Sequence, residues 1–470
     1  MIWTDTFANN KQSNIFSTEL GENNARLAEL NRQDIRVIVG NPPYSVGQES
    51  QNDDNQNEHY DELDARLTET YVARTDSTLK GKLYDSYIRA YRWASDRIGQ
   101  KGVIGFVTNA GWLETSSADG MRKCMAEEFN AIYIYHLRGN HVNITAEKAR
   151  IEGGQIFGQG CRSAIAIVFL VKNPDSIEHG KIFFHAVDDY LTREDKLAAL
   201  KKDRSIAYTP MNVIVPDAHG DWFNQRDDSY SRFMRMDGKK TEEKAIFKNF
   251  SLGVGTNRDV WAYASSKSSI EDKLRNCITF YNQEVEKKKQ DSSYIFSKDL
   301  TKISWIHPQR IGFEKLIRSN LFDKNKIHPA VYRPYIRQYL YFDRFWNNRV
   351  YQMPSIFPMN TTDNLVICSS GVGSKEYSCL MVDRIPCLDF LEKAQCFPRW
   401  LPGEQVKGAE DTLDFGESSE MPSGFSPEAL PHFQTAYPGR PITEDDLFYY
   451  IYGILHSEDY RTRYANNLMK

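Results

Sequence analysis

Apolar residues in the first third of the chain fall into short runs separated by segments with helical spacing. Val37-Ile38-Val39, Gly102 to Thr108, Ala131 to Leu137 and Ala164 to Val171 each read as a strand, the first as a fully buried parallel one. Between them Tyr84, Tyr87, Ile88, Tyr91, Ala94 and Ile98 recur at helical spacing and stop at Gly99, and Gly120 to Phe129 repeats the pattern. Asn23 to Gln33 is predicted helical, and Ile2 to Phe7 reads as a short strand ending in an acidic turn at Asp5. This alternation predicts an α/β fold, a partial doubly wound, Rossmann-like sheet with mostly parallel strands.

After Pro174 the alternation fades. Tyr190 to Lys202 reads as a charged helix, Lys239 to Lys248 as a basic surface helix or linker, and Leu447 to Tyr464 as a terminal helix. Gln48 to Asp64 is a polar loop, Gly153 to Gly160 a glycine-rich one and Gly408 to Gly424 an acidic one. Composition shifts toward arginine and aromatic residues beyond Gly253, which sets the domains at 1–235 and 236–470, the second of α+β type.

The 470 residues carry a net charge of −4, so any contact with nucleic acid has to come from local basic patches. Two such clusters are Val331 to Phe342 and Arg344 to Arg349. Arg333, Arg337, Arg344 and Arg349 within them are candidate contacts to phosphates or guanine edges, although the same alternation also suits a strand pair with a solvated face. Seven cysteines without a CxxC pair or zinc-ligand spacing indicate reduced thiols, and Asp53, Asp54, Glu58 and His59 form no metal pattern. No apolar run reaches the ~20 residues of a membrane span, and the amino terminus is no signal peptide, so a cytoplasmic location without a membrane partner is expected.

The candidate chemistry lies at Asn41-Pro42-Pro43-Tyr44, directly after the Val37 run. An exocyclic amine on an aromatic ring is a weak nucleophile because its lone pair is delocalised. Two acceptors aimed at the NH2 group localise that pair. The Asn41 side-chain oxygen can be one and the Pro42 carbonyl the other, held in direction by Pro43. Tyr44 offers a ring face for the base, worth roughly 1–3 kcal/mol, against the few kcal/mol needed to pull a base from a duplex. The pattern points to methylation of a planar amine, with a plain turn after a strand as the bland alternative.

The order of Asp5-Thr6-Phe7, Asn41-Pro42-Pro43-Tyr44, Phe106-Val107-Thr108-Asn109 and Ser163-Ala164-Ile165-Ala166-Ile167-Val168-Phe169 resembles the gamma-class N6-adenine DNA methyltransferases. Gly255-Thr256-Asn257-Arg258-Asp259 and Tyr452-Gly453-Ile454-Leu455 extend the likeness to the methyltransferase and specificity regions of type ISP restriction-modification enzymes. The resemblance implies S-adenosylmethionine as methyl donor, held by Asp5 and Phe7, with Asn41, Pro42, Pro43 and Tyr44 catalytic and Phe169 stacking on the flipped base. It implies double-stranded DNA as partner, and adds Arg258 to the DNA contacts. The family's glycine-rich cofactor loop would fall before Asp5, and its nuclease and helicase regions have no counterpart. The chain therefore reads as a fragment whose further partners would be those segments. Three functions stay open: an adenine-N6 DNA methyltransferase module, a DNA reader that does not methylate, and a protein-glutamine or RNA methyltransferase.

Overall fold

The computed structural model describes residues 6–7, 21–43, 59–77, 80–142, 144–157, 162–237, 244–372, 374–403 and 421–469. The chain divides into two compact units, Met1–Arg226 and Asp227–Lys470.

The first unit contains helices α1 (Gly21–Arg32), α2 (Asp61–Leu67), α3 (Ser86–Arg97) and α4 (Asp119–Glu128). Its sheet comprises β1 (Val37–Gly40), β2 (Gly102–Asn109), β3 (Ala131–His136), β4 (Ile165–Lys172), β5 (Lys181–Ala186) and β6 (Asn212–Ile214), in the order β1-β2-β4-β3-β5-β6. β1 pairs parallel with β2 and β3 parallel with β5, while β4 runs antiparallel to both β2 and β3, and β6 antiparallel to β5. Four strands thus point one way, and the carboxyl ends of β1, β2, β3 and β5 share one edge. The expected parallel pairing is corrected to a mixed one, because β4 wedges between β2 and β3 against their direction.

Alternation along the strands decides the two faces. Ile104, Phe106, Ile132, Ile134, Val168, Leu170 and Ile182 are buried on one face and pack with Tyr87, Ile88 and Tyr91 of α3 and Met121 and Met125 of α4. Asp85 caps α3 by accepting a bond from the Tyr87 amide, and Gly99, with φ of 60°, ends the chain's helical path in the left-handed conformation that glycine adopts freely. The other face carries the row Val39, Gly105, Phe169, Tyr133 and Phe183. Val37 and Val39 are 64% and 79% exposed. The expectation that Val37–Val39 is fully buried therefore fails: among the described residues β1 is paired on one side only, with Ile38 turned to the core.

β5 and β6 lie outside the predicted elements. Both are at the far side of the sheet and only Ile182 of β5 is fully enclosed, so neither leaves a buried run to read. Part of the predicted glycine-rich loop region is preceded by a helix, Ala146–Glu152, and residues 158–161 lie outside the described residues.

The second unit holds two four-stranded sheets. One orders Tyr263–Ala264, Ile336–Tyr341, Ile327–Arg333 and Ile385–Pro386; the other Cys379–Val382, Val366–Ser369, Gln395–Pro398 and Ser251–Leu252. The helix Lys267–Gln290 buries Ile270, Leu274, Cys277, Ile278, Tyr281 and Val285, the stripe of a helix packed along one side. This unit starts before Met236 because Asp227 to Phe233 is tied to the chain's last helices. Asp227 accepts from Arg463 Nε at 2.8 Å, and Tyr230 and Phe233 pack against Tyr460 and Tyr464. Of Lys239 to Lys248, the described part is a buried strand, Ala245–Phe247, and not a surface helix. The predicted terminal helix breaks at Ser457, whose hydroxyl caps Glu458–Arg463. All six cysteines among the described residues are buried free thiols.

Candidate active site and nucleic-acid interface

β1 ends where it does because Pro42 and Pro43 have no N–H to continue the ladder. Asn41 is exposed and Pro42 half-buried, at the carboxyl edge shared by the parallel strands. The turn is backed tightly: a Cβ on Gly40 would come within 3.3 Å of the Phe106 ring. That edge is where open α/β sheets take their ligands. Tyr44 and Asp5 lie outside the described residues.

Phe169 pairs with Gly105 and lies beside Val39, on the same face and two residues before Asn41, about 6–7 Å along the strand. Gly105 makes room for it, since a Cβ there would meet the Phe169 ring at 3.2 Å and Val39 at 3.8 Å. Phe169 is half-buried.

Phe7 packs against the sheet core and edge-on against Tyr60, at 5.4 Å between centroids. Tyr60 in turn lies against the Arg89 guanidinium at 5.5 Å, which donates to both Asp64 oxygens at 2.7 and 2.8 Å. This chain of contacts positions the segment that includes Phe7. A methyl donor that carries an aromatic ring needs aromatic surface, which Phe7 and Tyr60 supply, while the Asp64 carboxylate is already engaged by Arg89.

Sequence reasoning missed Arg122, fully buried on α4. It donates to the carbonyls of Trp112 and Thr115 at 2.8 Å, to that of Gly220 at 2.9 Å, and to Asp221 at 2.8 Å. Asp221 also accepts from Arg226 at 2.9 Å. Burial pulls the Arg122 guanidinium down from its usual range, and the carboxylates of Asp221 and Asp119 counter that. Trp112 and Thr115 follow β2 directly, so this buried cation fixes the backbone next to the Asn41 edge.

In the second unit the five candidate arginines separate. Arg258 is 6% exposed, stacks on Trp346 at 4.9 Å, and donates to the carbonyls of Ser304 and Trp346 at 3.1 and 3.0 Å. Its charge is spent inside the fold, which does not fit a contact to DNA. Arg333 lies over Tyr332 at 4.1 Å and bonds Tyr332 and Cys387. Arg337, Arg344 and Arg349 are exposed and make no ion pair among the described residues. Arg337 flanks the hairpin tip at Tyr335, and Arg344 and Arg349 follow its second strand. Among the described residues no cluster of His, Cys, Asp and Glu could hold a metal, and no helix is long and apolar enough to cross a membrane.

The sheet with its Asn-Pro-Pro turn belongs to the class of restriction-modification methylases: residues 2–143 match the Eco57I restriction-modification methylase family. Residues 245–470 match the Type ISP C-terminal specificity domain, so the two matches together correspond to the methylase and specificity regions of Type ISP restriction-modification enzymes. It is similar to LlaGI, solved as a nuclease-deletion mutant in complex with a DNA substrate mimic, with 34% identity and a TM-score of 0.77 over 100% of this chain and 36% of that one. It is similar to LlaBIII, an ATP-dependent Type ISP enzyme bound to DNA, with 32% identity and a TM-score of 0.80 over 100% of this chain and 30% of that one. DrdV, solved as a DNA complex, matches with 34% identity and a TM-score of 0.74 over 96% of this chain and 43% of that one. The chain thus spans about a third of the LlaGI and LlaBIII chains. No curated protein matches it.

Proposed function

We propose that this chain is the methylating and sequence-reading portion of a site-specific DNA adenine-N6 methyltransferase of a restriction-modification system. The observation that carries the reading is the Asn41-Pro42 turn at the carboxyl edge of four co-directional strands.

In this reading Asn41 and Pro42 accept the two N–H bonds of a flipped adenine, drawing its nitrogen lone pair out of conjugation. Phe169 and Tyr44 hold the base ring, and Pro43 fixes the direction of the Pro42 carbonyl. Asp5 and Phe7 hold S-adenosylmethionine, which supplies an electrophilic methyl group when bound. Arg122 keeps the backbone after β2 in place without touching the base. Arg337, Arg344 and Arg349 contact double-stranded DNA, with Arg333 held against its own fold as a secondary contact. Nuclease and helicase segments of the same restriction-modification system are the further partners of this reading, and the protein works in the cytoplasm where its DNA is.

The test is to incubate the chain with duplex DNA and isotope-labelled S-adenosylmethionine, digest the product to nucleosides and identify the labelled one by mass. Label in N6-methyl-2′-deoxyadenosine supports the proposal. Label in methylcytosine would overturn the adenine assignment, and DNA binding without label would leave a reader only.

A further inference from the structure

The C-terminal unit contains a cleft of about 550 Å3, within the ~300–1,000 Å3 of sites for small ligands. It opens at the end of the hairpin Ile327–Arg333/Ile336–Tyr341 away from the Tyr335 tip. Its walls include Lys326, His328, Phe342, Arg344, Met359 and Asn360.

His328, 5% exposed, lines the cleft, and its ring nitrogens make no hydrogen bond among the described residues. With no partner among them, the ring is available to hydrogen-bond a ligand in the cleft. The Phe342 ring stands edge-on to His328 at 5.1 Å and 71°, so two rings meet in the wall. Lys326 is neutralised by Asp343, whereas Arg344 is exposed and has no ion pair among the described residues. Burial pulls the His328 imidazole down to about 4, leaving it neutral near pH 7, able to donate from one nitrogen and accept at the other. Met359, 59% exposed, adds apolar surface, and Asn360 an amide.

We propose that this cleft is a nucleotide-binding site, with a base ring against Phe342 and Met359, hydrogen-bonded to His328, and a phosphate on Arg344. The ligand chemistry is that of a nucleoside monophosphate, whether free or as one unstacked residue of a DNA strand. The inference extends the DNA-binding reading, but its free-nucleotide form stands without it.

The experiment uses the full chain and its His328→Phe variant, which keeps a ring of similar size. The His328 C–H resonance, identified by its loss in that variant, is followed in titrations with each of the four deoxynucleoside monophosphates, then with a single-stranded and a duplex oligonucleotide. At least one monophosphate should shift the resonance, and His328→Phe should weaken its binding about tenfold. Arg344→Ala should abolish the preference for the monophosphate over the matching nucleoside. If DNA also shifts the resonance and displaces the monophosphate, the ligand is a residue of DNA; if only monophosphates do, it is a free nucleotide. An unmoved His328 resonance with every probe would overturn the proposal, a result read in the wild-type protein and so independent of how the variant folds. Methyl transfer is not part of this readout, so Asn41→Ala should bind nucleotide in the cleft as the wild type does.

Discussion

Replacing Asp221 with Asn tests the most buried ion pair among the described residues of the methylase unit. Arg122 and Asp221 have side chains 0% and 1% exposed, and their 2.8 Å contact is joined by three carbonyls on the Arg122 side and by Arg226 on the other. The substitution keeps shape but leaves the Arg122 charge without its counter-ion and turns an amide donor toward guanidinium donors. Breaking one side of a buried pair costs about 3–5 kcal/mol. In a unit of this size each kcal/mol moves Tm by about 2–4 °C, so the N-terminal transition should fall by about 6–20 °C. The control is Arg66→Ala, whose pairs with Asp96 and Glu69 are on the surface, with the Arg66 side chain 46% exposed. That change should cost no more than about 1 kcal/mol. Calorimetry of the full chain reads both. If Asp221→Asn moves the transition no further than Arg66→Ala, the buried pair does not hold the unit and its part in fixing the turn after β2 fails with it.

Arg337→Ala and Arg349→Ala should each lower the slope of log DNA affinity against log salt by about 1, measured by fluorescence anisotropy; an unchanged slope would remove that residue from the interface. Arg258→Ala should instead destabilise the second unit by several kcal/mol, on the order of 1–3 kcal/mol for each carbonyl left unpaired, with the slope per folded molecule unaltered. Gly105→Val should displace the Phe169 ring and cost about 1–3 kcal/mol, and methyl transfer should drop as it does in Phe169→Ala; activity that tracks only the folded fraction would make Phe169 a core residue. His136 and His328 are both pulled down to about 4, chiefly by burial, below their unfolded value near 6.5. The unfolded chain therefore takes up their protons first, and the stability they leave intact above pH 6.5 is lost as pH falls toward 4. Urea unfolding should show a loss of about 2 kcal/mol per histidine at pH 5, and a flat profile would contradict their burial as neutral rings.

What the sequence revealed follows from how local the cause was. β2, β3 and β4 are central strands whose apolar runs are enclosed, and α3 stops at Gly99 as its spacing predicts. The Asn41 turn was legible because Pro-Pro must end a strand wherever it falls. The exposure of Val39 was not, since an apolar run reads alike in a strand covered on both faces and in one covered on a single face. Arg122 and Asp221 stand 99 residues apart, and no periodicity links them. Arg258 sits in a polar stretch that reads as surface, and its burial is decided by Trp346, 88 residues later. The start of the second unit at Asp227 rests on Arg463 and Asn467, again far along the chain.

The central claim is that Asn41 acts on the amine and not on binding. It is tested most directly by a single-turnover measurement of methyl transfer to duplex DNA in wild type and Asn41→Ala, with DNA affinity measured on the same samples. The account predicts a fall in the transfer rate of about 10²–10³-fold, as for removal of one transition-state hydrogen bond, with DNA affinity little changed. Equal transfer rates in the two proteins would contradict it.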